Sequence, residues 1–243
     1  MMPARPTALV TGAGRRLGQA IAVALGARGM HVVVHYHASD AGARATAQAI
    51  DDAGGSASLV QADLRDPAAI DPLLTRTLES TGTLDVLVNS AAEMVRTPVG
   101  EVTVAQWDAL FGLNLRAPFF LAQAAAPHLR RVHGCIVNIA DIAADETWPG
   151  FIPYSTTKAG LAHMTRALAR ALAPDVRVNA VAPGAVQLPD DFDDAMASRL
   201  AETTPLGRLG TPSDVVGAVL YLLDAGYVTG QVLAVDGGRL IRA

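Results

Sequence analysis

A short apolar run at residues 7–11, Thr-Ala-Leu-Val-Thr, passes without a spacer into Gly12-Ala13-Gly14-Arg15-Arg16-Leu17-Gly18, and an apolar rhythm of helical period then runs to about residue 28. This strand, glycine turn and helix constrain the chain more than any other stretch, because a continuously apolar strand must be covered on both faces. The alternation repeats along the chain. Further strands are expected at 31–36, 57–61, 84–88, 135–139, 176–181 and 231–235, with helices at 39–53, 67–80, 104–129, 153–172 and 212–224. Seven apolar strands joined by helices predict an α/β fold, a doubly wound parallel sheet with right-handed crossovers. No repeat, linker or low-complexity tract divides residues 1–243, and a hydrophobic content of 51% suits one domain with a large core. The pattern lapses after Pro183-Gly184 and a short helix follows, which places a substrate loop at about 184–202. Ligands of such sheets lie beyond the carboxyl ends of the strands, where the strand order reverses.

Charge and cysteine content exclude several classes. The net charge is -4 and the arginines are dispersed, which argues against nucleic acid or an anionic membrane as partner. Cys135 is alone in an apolar strand context, so no disulfide forms within the chain and a reducing compartment is expected. The first residues lack the layout of a signal peptide and no apolar run reaches membrane-spanning length, so the expectation is a soluble, cytoplasmic protein. Six scattered histidines without a HExxH or a Cys/His cluster predict no metal site.

The glycine turn is read as a nucleotide site. Gly12, Gly14 and Gly18 let the backbone approach a diphosphate at the N-terminus of the first helix. A site for NAD presents a carboxylate to the ribose about twenty residues later. Here none occurs between Gly12 and Ser39, whereas the turn carries Arg15 and Arg16 and the second strand ends His35-Tyr36-His37-Ala38-Ser39. Cations and a hydroxyl suit a 2'-phosphate, so NADPH is the expected cofactor, with Arg16 the preferred arginine. Ser39 is equally readable as a helix N-cap, and Asp63 as an adenine contact or as the cap of the next turn.

Among 19 basic residues all but Lys158 are arginine. A lone lysine marks a place where a compact ammonium with a movable pKa is needed. Tyr154 lies four residues earlier, on the same face of the helix expected at 153–172. An ammonium beside a phenol is expected to lower the phenol pKa from its ordinary value near 10 and make Tyr154 an acid for catalysis.

Thr11-Gly12 with Gly18, Asn89 closing the fourth strand, Tyr154 with Lys158, Pro183-Gly184, and Thr229-Gly230 followed by Val235-Asp236-Gly237-Gly238 resemble, in order and spacing, the short-chain dehydrogenase/reductase family across essentially the whole chain. The resemblance implies a Rossmann-type domain and a nicotinamide cofactor. It also implies a Tyr/Lys acid pair, Asn114 as a member of the proton relay, and often a homotetramer built on the long fifth and sixth helices. It carries cofactor contacts onto the turn including Leu17, onto Asn89 and Ala91, onto Tyr154 and Lys158, and onto Pro183 and Gly184.

Thirteen residues before Tyr154, where the family commonly has Ser, this chain has Asp141. A carboxylate donates no hydrogen bond unless its pKa is raised, so Asp141 suits a nitrogen heterocycle better than a ketone. Arg16-Leu17-Gly18, the segment from His35 to Ser39, Asp141, and Asp190-Asp191 are similar to the pteridine reductases within the family. The expected reaction is therefore NADPH-dependent hydride transfer to a C=N bond of a pteridine. Met94 stands where those enzymes place an aromatic ring, and Trp148, Phe151 and Leu188 are candidates for other substrate walls. The alternatives are a short-chain carbonyl or 3-oxoacyl reductase and, from another class, a non-catalytic NADP(H)-binding sensor.

Overall fold

The computed structural model describes residues 5–188 and 193–241, so Asp190 and Asp191 lie outside the described residues. The strands are β1 (Thr7–Val10), β2 (His31–Tyr36), β3 (Ser56–Gln61), β4 (Val86–Asn89), β5 (Cys135–Ile139), β6 (Arg177–Pro183) and β7 (Val232–Val235). They form one sheet of seven strands in the order β3-β2-β1-β4-β5-β6-β7, parallel throughout, as expected from the alternation. From β1 the chain winds outward to β3, then returns to add β4 beside β1 and continues to the other edge. The reversal leaves a crevice above the carboxyl ends of β1 and β4.

Eight helices among the described residues cover the sheet: α1 (Arg16–Ala27), α2 (Asp40–Asp52), α3 (Ile70–Thr81), α4 (Val104–Phe111), α5 (Ala117–Arg131), α6 (Ile152–Leu172), α7 (Asp194–Glu202) and α8 (Pro212–Asp224). Successive strand residues point to opposite faces, so each apolar strand feeds two cores. Leu9, Leu87 and Ile136 pack with Leu73 of α3, Leu121 of α5 and Leu172 of α6. Ala8, Val10, Val86 and Val88 face the other way, onto Ile21 and Leu25 of α1 and Val215 and Leu222 of α8. Both faces of β1, β4 and β5 are buried, which is why these strands read as unbroken apolar runs.

The helix ends show how the sequence sets the boundaries. Thr103 and Gln106 form a reciprocal capping box at α4, and at α8 the Asp214 carboxylate accepts from the Thr211 N–H and hydroxyl. The carbonyl end of α8 is closed by Arg177 of β6, whose guanidinium donates to Leu222, Leu223 and Ala225. The single long helix expected over 104–129 is instead interrupted by a π-helical turn at Gly112–Arg116, between α4 and α5. Such a turn inserts extra backbone into the helical register, and Gly112 and Asn114 become buried within it. Periodicity alone misses it because both flanking helices keep an apolar face.

Candidate active site

Above the switch point lies a cleft of about 870 Å³, walled at one end by His37, Ser39 and Asp63, in the middle by the glycine turn, and at the other end by Asp141, Tyr154 and Lys158. Its size and length suit an extended dinucleotide. Gly12 adopts φ +66, and a Cβ there would come within 2.8 Å of the Ala91 Cα. A Cβ on Gly18 would collide with the carbonyl of Gly12. Only glycine permits these two approaches. The Gly12 N–H donates to His35 Nδ1 at 3.1 Å, so the proton of that imidazole sits on Nε2, which donates to the Ala62 carbonyl. Burial pushes the His35 pKa down to about 4, and the ring stays neutral. Thr11 Oγ1 accepts from the N–H groups of Ser90 and Ala91 and ties the turn to the loop after β4. In the sequence His35 is legible as the start of the segment that closes the second strand, whereas its role as a brace for the turn is not.

Arg16, expected at the cofactor phosphate, has φ +52, a left-handed conformation that costs a non-glycine residue about 1–2 kcal/mol. Its guanidinium donates to the carbonyls of Gln187 and Leu188 at 2.7 and 3.0 Å. Arg15 occupies the exposed N-cap of α1. Ser39 stands at the N-cap position of α2 without making a side-chain cap bond, and its Oγ donates to the Gly14 carbonyl at 3.4 Å. Asp40, the first carboxylate after the turn, is held by the Tyr36 hydroxyl and by Arg44 at 2.9 and 2.8 Å. Asp63 caps its own turn through the Arg65 N–H and faces His37 Nε2 across 3.8 Å, both of them in the cleft wall.

At the reacting end the Tyr154 hydroxyl donates to Asp141 Oδ2 at 2.7 Å, while Asp141 Oδ1 accepts from the Ala143 N–H. Lys158 is 3% exposed; its ammonium donates to the Ile139 carbonyl at 2.8 Å and lies 5.7 Å from the Tyr154 ring centre. The expected lowering of the phenol pKa by Lys158 is not what this arrangement produces. Burial, the charge of Asp141 and the hydrogen bond to Asp141 hold Tyr154 well above its ordinary value, because each favours the neutral phenol. Burial likewise pushes Lys158 down to about 8 and raises the Asp141 pKa from its ordinary value. Tyr154 is thus a protonated donor in a buried site, and both oxygens of Asp141 accept hydrogen bonds there.

Asn114 is fully engaged. Its Nδ2 donates to the Glu93 carbonyl and to Thr157 Oγ1, and its Oδ1 accepts from the Glu93 N–H. The side chain therefore fixes the loop after β4 against α6, and Thr157 in turn donates to the Tyr154 carbonyl. Asn89 is buried and donates to Asn138, which donates to Thr165 of α6. This polar chain braces β4, β5 and α6 beneath the cleft rather than lining it. Leu17, Ala91, Pro183 and Gly184 do line the cleft, as does Met94. Trp148 and Phe151 pack edge to face on each other, with the indole N–H on Glu146, and neither they nor Leu188 form its wall. Among the described residues no cluster of His, Cys, Asp or Glu could hold a metal ion, and no helix is long and apolar enough to cross a membrane.

A parallel sheet with a glycine turn at its switch point and a Tyr/Lys pair at the far end of one cleft defines a nicotinamide-dependent oxidoreductase of Rossmann type. A family model described as enoyl-(acyl carrier protein) reductase matches residues 12–239. The 3β-hydroxysteroid dehydrogenase 1 of Eggerthella lenta is 38% identical, covering 97% of this chain and 94% of its own. The 3-oxoacyl-[acyl-carrier-protein] reductase of Synechocystis sp. is 38% identical over 96% of both chains. A crystal structure assigned as a short-chain alcohol dehydrogenase from Sinorhizobium meliloti 1021 superposes with a TM-score of 0.93 at 36% identity, covering 99% of this chain and 98% of that one. The chain belongs to the short-chain dehydrogenase/reductase family.

Proposed function

We propose that this protein is an NADPH-dependent reductase of a carbonyl group, of the 3-oxoacyl or small-ketone type, and that Asp141 serves as a neutral donor where the family commonly uses Ser. The observation that carries this reading is the placement of Asp141 within 2.7 Å of the Tyr154 hydroxyl in a buried site, where desolvation favours its neutral form. A protonated carboxyl donates a hydrogen bond that a carboxylate cannot, so the departure at 141 does not exclude a ketone. Support for the substrate class comes from relatives named as 3-oxoacyl reductases.

The bound nicotinamide supplies the hydride. Tyr154 gives its proton to the substrate oxygen, and Asp141, released from Tyr154, donates a second hydrogen bond to that oxygen as negative charge develops on it. Lys158 stabilises the phenolate left after proton transfer and holds the nicotinamide ribose. His37, Ser39 and Arg15 would take the adenosine 2'-phosphate. The absence of a carboxylate at the end of β2 and the neutralisation of Asp40 by Arg44 favour the phosphorylated cofactor.

Pteridine reduction is the second reading. It is favoured by the same Asp141, which as a carboxylate would accept from ring amines, and Met94 would then lie on the pterin ring. Asp141→Ser separates the two. Under the carbonyl reading this variant keeps at least about a tenth of the wild-type rate with an acetoacetyl thioester, while Asp141→Ala loses about 10²-fold. The wild-type rate falls as pH rises through the elevated Asp141 pKa, because the donor form exists below it, and Asp141→Ser is flat in that window. Turnover of 7,8-dihydrobiopterin that vanishes in Asp141→Ser would establish the pteridine reading instead. Cofactor binding with no turnover of either compound would return the sensor reading.

We also propose a homotetramer in a reducing, cytoplasmic setting. Exposed Phe119 and Phe120 of α5 line one groove with Phe111 of α4, on which the exposed Trp107 stacks, an apolar patch that a second copy would cover. Sedimentation equilibrium should give four times the 25.1 kDa chain mass; a monomer at micromolar concentration refutes it.

A further inference from the structure

Arg16 holds a left-handed backbone at a position where glycine would rest without strain. A strained residue persists when its surroundings over-determine it. Here the surroundings lie far away in sequence. The guanidinium crosses the mouth of the cleft to the carbonyls of Gln187 and Leu188, 171 and 172 residues later. These residues belong to the stretch leaving β6, of which Val186 and Gln187 wall the cleft. The far end of the same region is held by a second guanidinium, this one buried, since Arg239 donates to the Leu200 carbonyl and to Thr204 Oγ1. Both bonds of Arg16 leave one terminal nitrogen, Nη2, whose two hydrogens serve two successive carbonyls at the end of a long side chain.

We infer that Arg16 is a positioning residue that couples the glycine turn to the substrate loop, so that a dinucleotide seated on the turn holds residues 187 and 188 in place and strengthens substrate binding. The inference rests on the reading of the turn as the diphosphate site and of the loop after β6 as the substrate loop. The strain at residue 16 and the contact with the loop are then two sides of one device. The left-handed backbone aims the side chain across the cleft, and the two carbonyls hold it there.

Amide hydrogen exchange of the full chain, with and without NADPH, tests this directly. In the wild type NADPH slows exchange in peptides covering residues 184–188. In Arg16→Gly these peptides exchange roughly tenfold faster in both states, although the melting temperature is unchanged or higher because glycine accepts φ +52 without strain. Arg16→Asn, which also tolerates the left-handed region, behaves like Arg16→Gly and guards against a folding artefact. Arg16→Lys keeps the charge, but its nitrogen sits one bond nearer the backbone than Nη2 and misses the two carbonyls, so the loop is equally unprotected. With saturating NADPH and an acetoacetyl thioester, the glycine variant raises KM about tenfold with kcat within about twofold. Unchanged exchange at 184–188 in Arg16→Gly, or a wild-type loop indifferent to NADPH, overturns the coupling whether or not any substrate is consumed. A loop deprotected by the substitution in a protein that turns over no carbonyl keeps the coupling and sinks the reductase reading.

Discussion

Tyr154→Phe lowers kcat by about 10²–10⁴-fold, the range over which a positioned general acid acts, while the dissociation constant for NADPH stays within about twofold. The ring of Tyr154 is 5% exposed and its packing survives the change; only the hydroxyl that donates to Asp141 is lost. Removing that donor leaves Asp141 with the Ala143 N–H as its remaining partner here, in a site where burial already disfavours the charge. Asp141 responds by holding its proton to higher pH, so the fold suffers little. Single-turnover absorbance of NADPH with an acetoacetyl thioester reads the chemical step, and fluorescence of the bound cofactor reads the affinity. Retention of more than a tenth of the wild-type rate would remove Tyr154 from the role of acid.

Lys158→Arg and Lys158→Met both lose most activity, by about 10²-fold or more, yet they differ in stability. Lys158 has its ammonium on the Ile139 carbonyl with burial opposing its charge. An arginine keeps its charge at every accessible pH and brings a larger fork into the same space, so the arginine variant is less stable than wild type. Methionine fills a similar volume without charge and relieves the cost of burying it. The pH dependence follows from the shift from 10.5 to about 8. Between these values the unfolded chain binds a proton that the folded chain has released, so this lysine makes stability rise with pH across the window. The interval of 10.5 − 8 = 2.5 corresponds to about 3 kcal/mol. Denaturant melts from pH 7 to 10.5 should show the wild type gaining on Lys158→Met by that order; parallel profiles would mean that the ammonium is not strained by burial.

The Tyr154/Lys158 pair was legible because a spacing of four residues on a helix puts both groups on one face whatever surrounds them. The sheet was legible for a similar reason, since strands such as Val86–Asn89 and Cys135–Ile139 are buried on both sides and carry an uninterrupted apolar signal. The glycine turn belongs with these, because Gly12 and Gly18 answer to close approaches within the first strand, turn and helix and to the neighbouring strand end. The family resemblance added the order of the motifs, and the comparisons bear out that level of description. The narrower likeness to pteridine reductases rested on four short departures, one of which, Asp190-Asp191, lies outside the described residues.

Local periodicity in the sequence thus determined the seven strands with their helices, the glycine turn after the first strand and the placing of a tyrosine beside a lysine, since the residues that announce each of these lie within a few positions of one another. What the tertiary structure alone decided depends on burial and on partners distant in the chain. The direction of the Tyr154 pKa is set by burial and then by Asp141, not by the ammonium one turn away. The amide of Asn114 is spent on Glu93 and Thr157, in a π turn that no apolar rhythm announces. Arg16, which composition and position assigned to a phosphate, reaches a loop more than 170 residues later. Charge, desolvation and hydrogen-bond competition act through space, and a sequence states the groups without stating the distances between them.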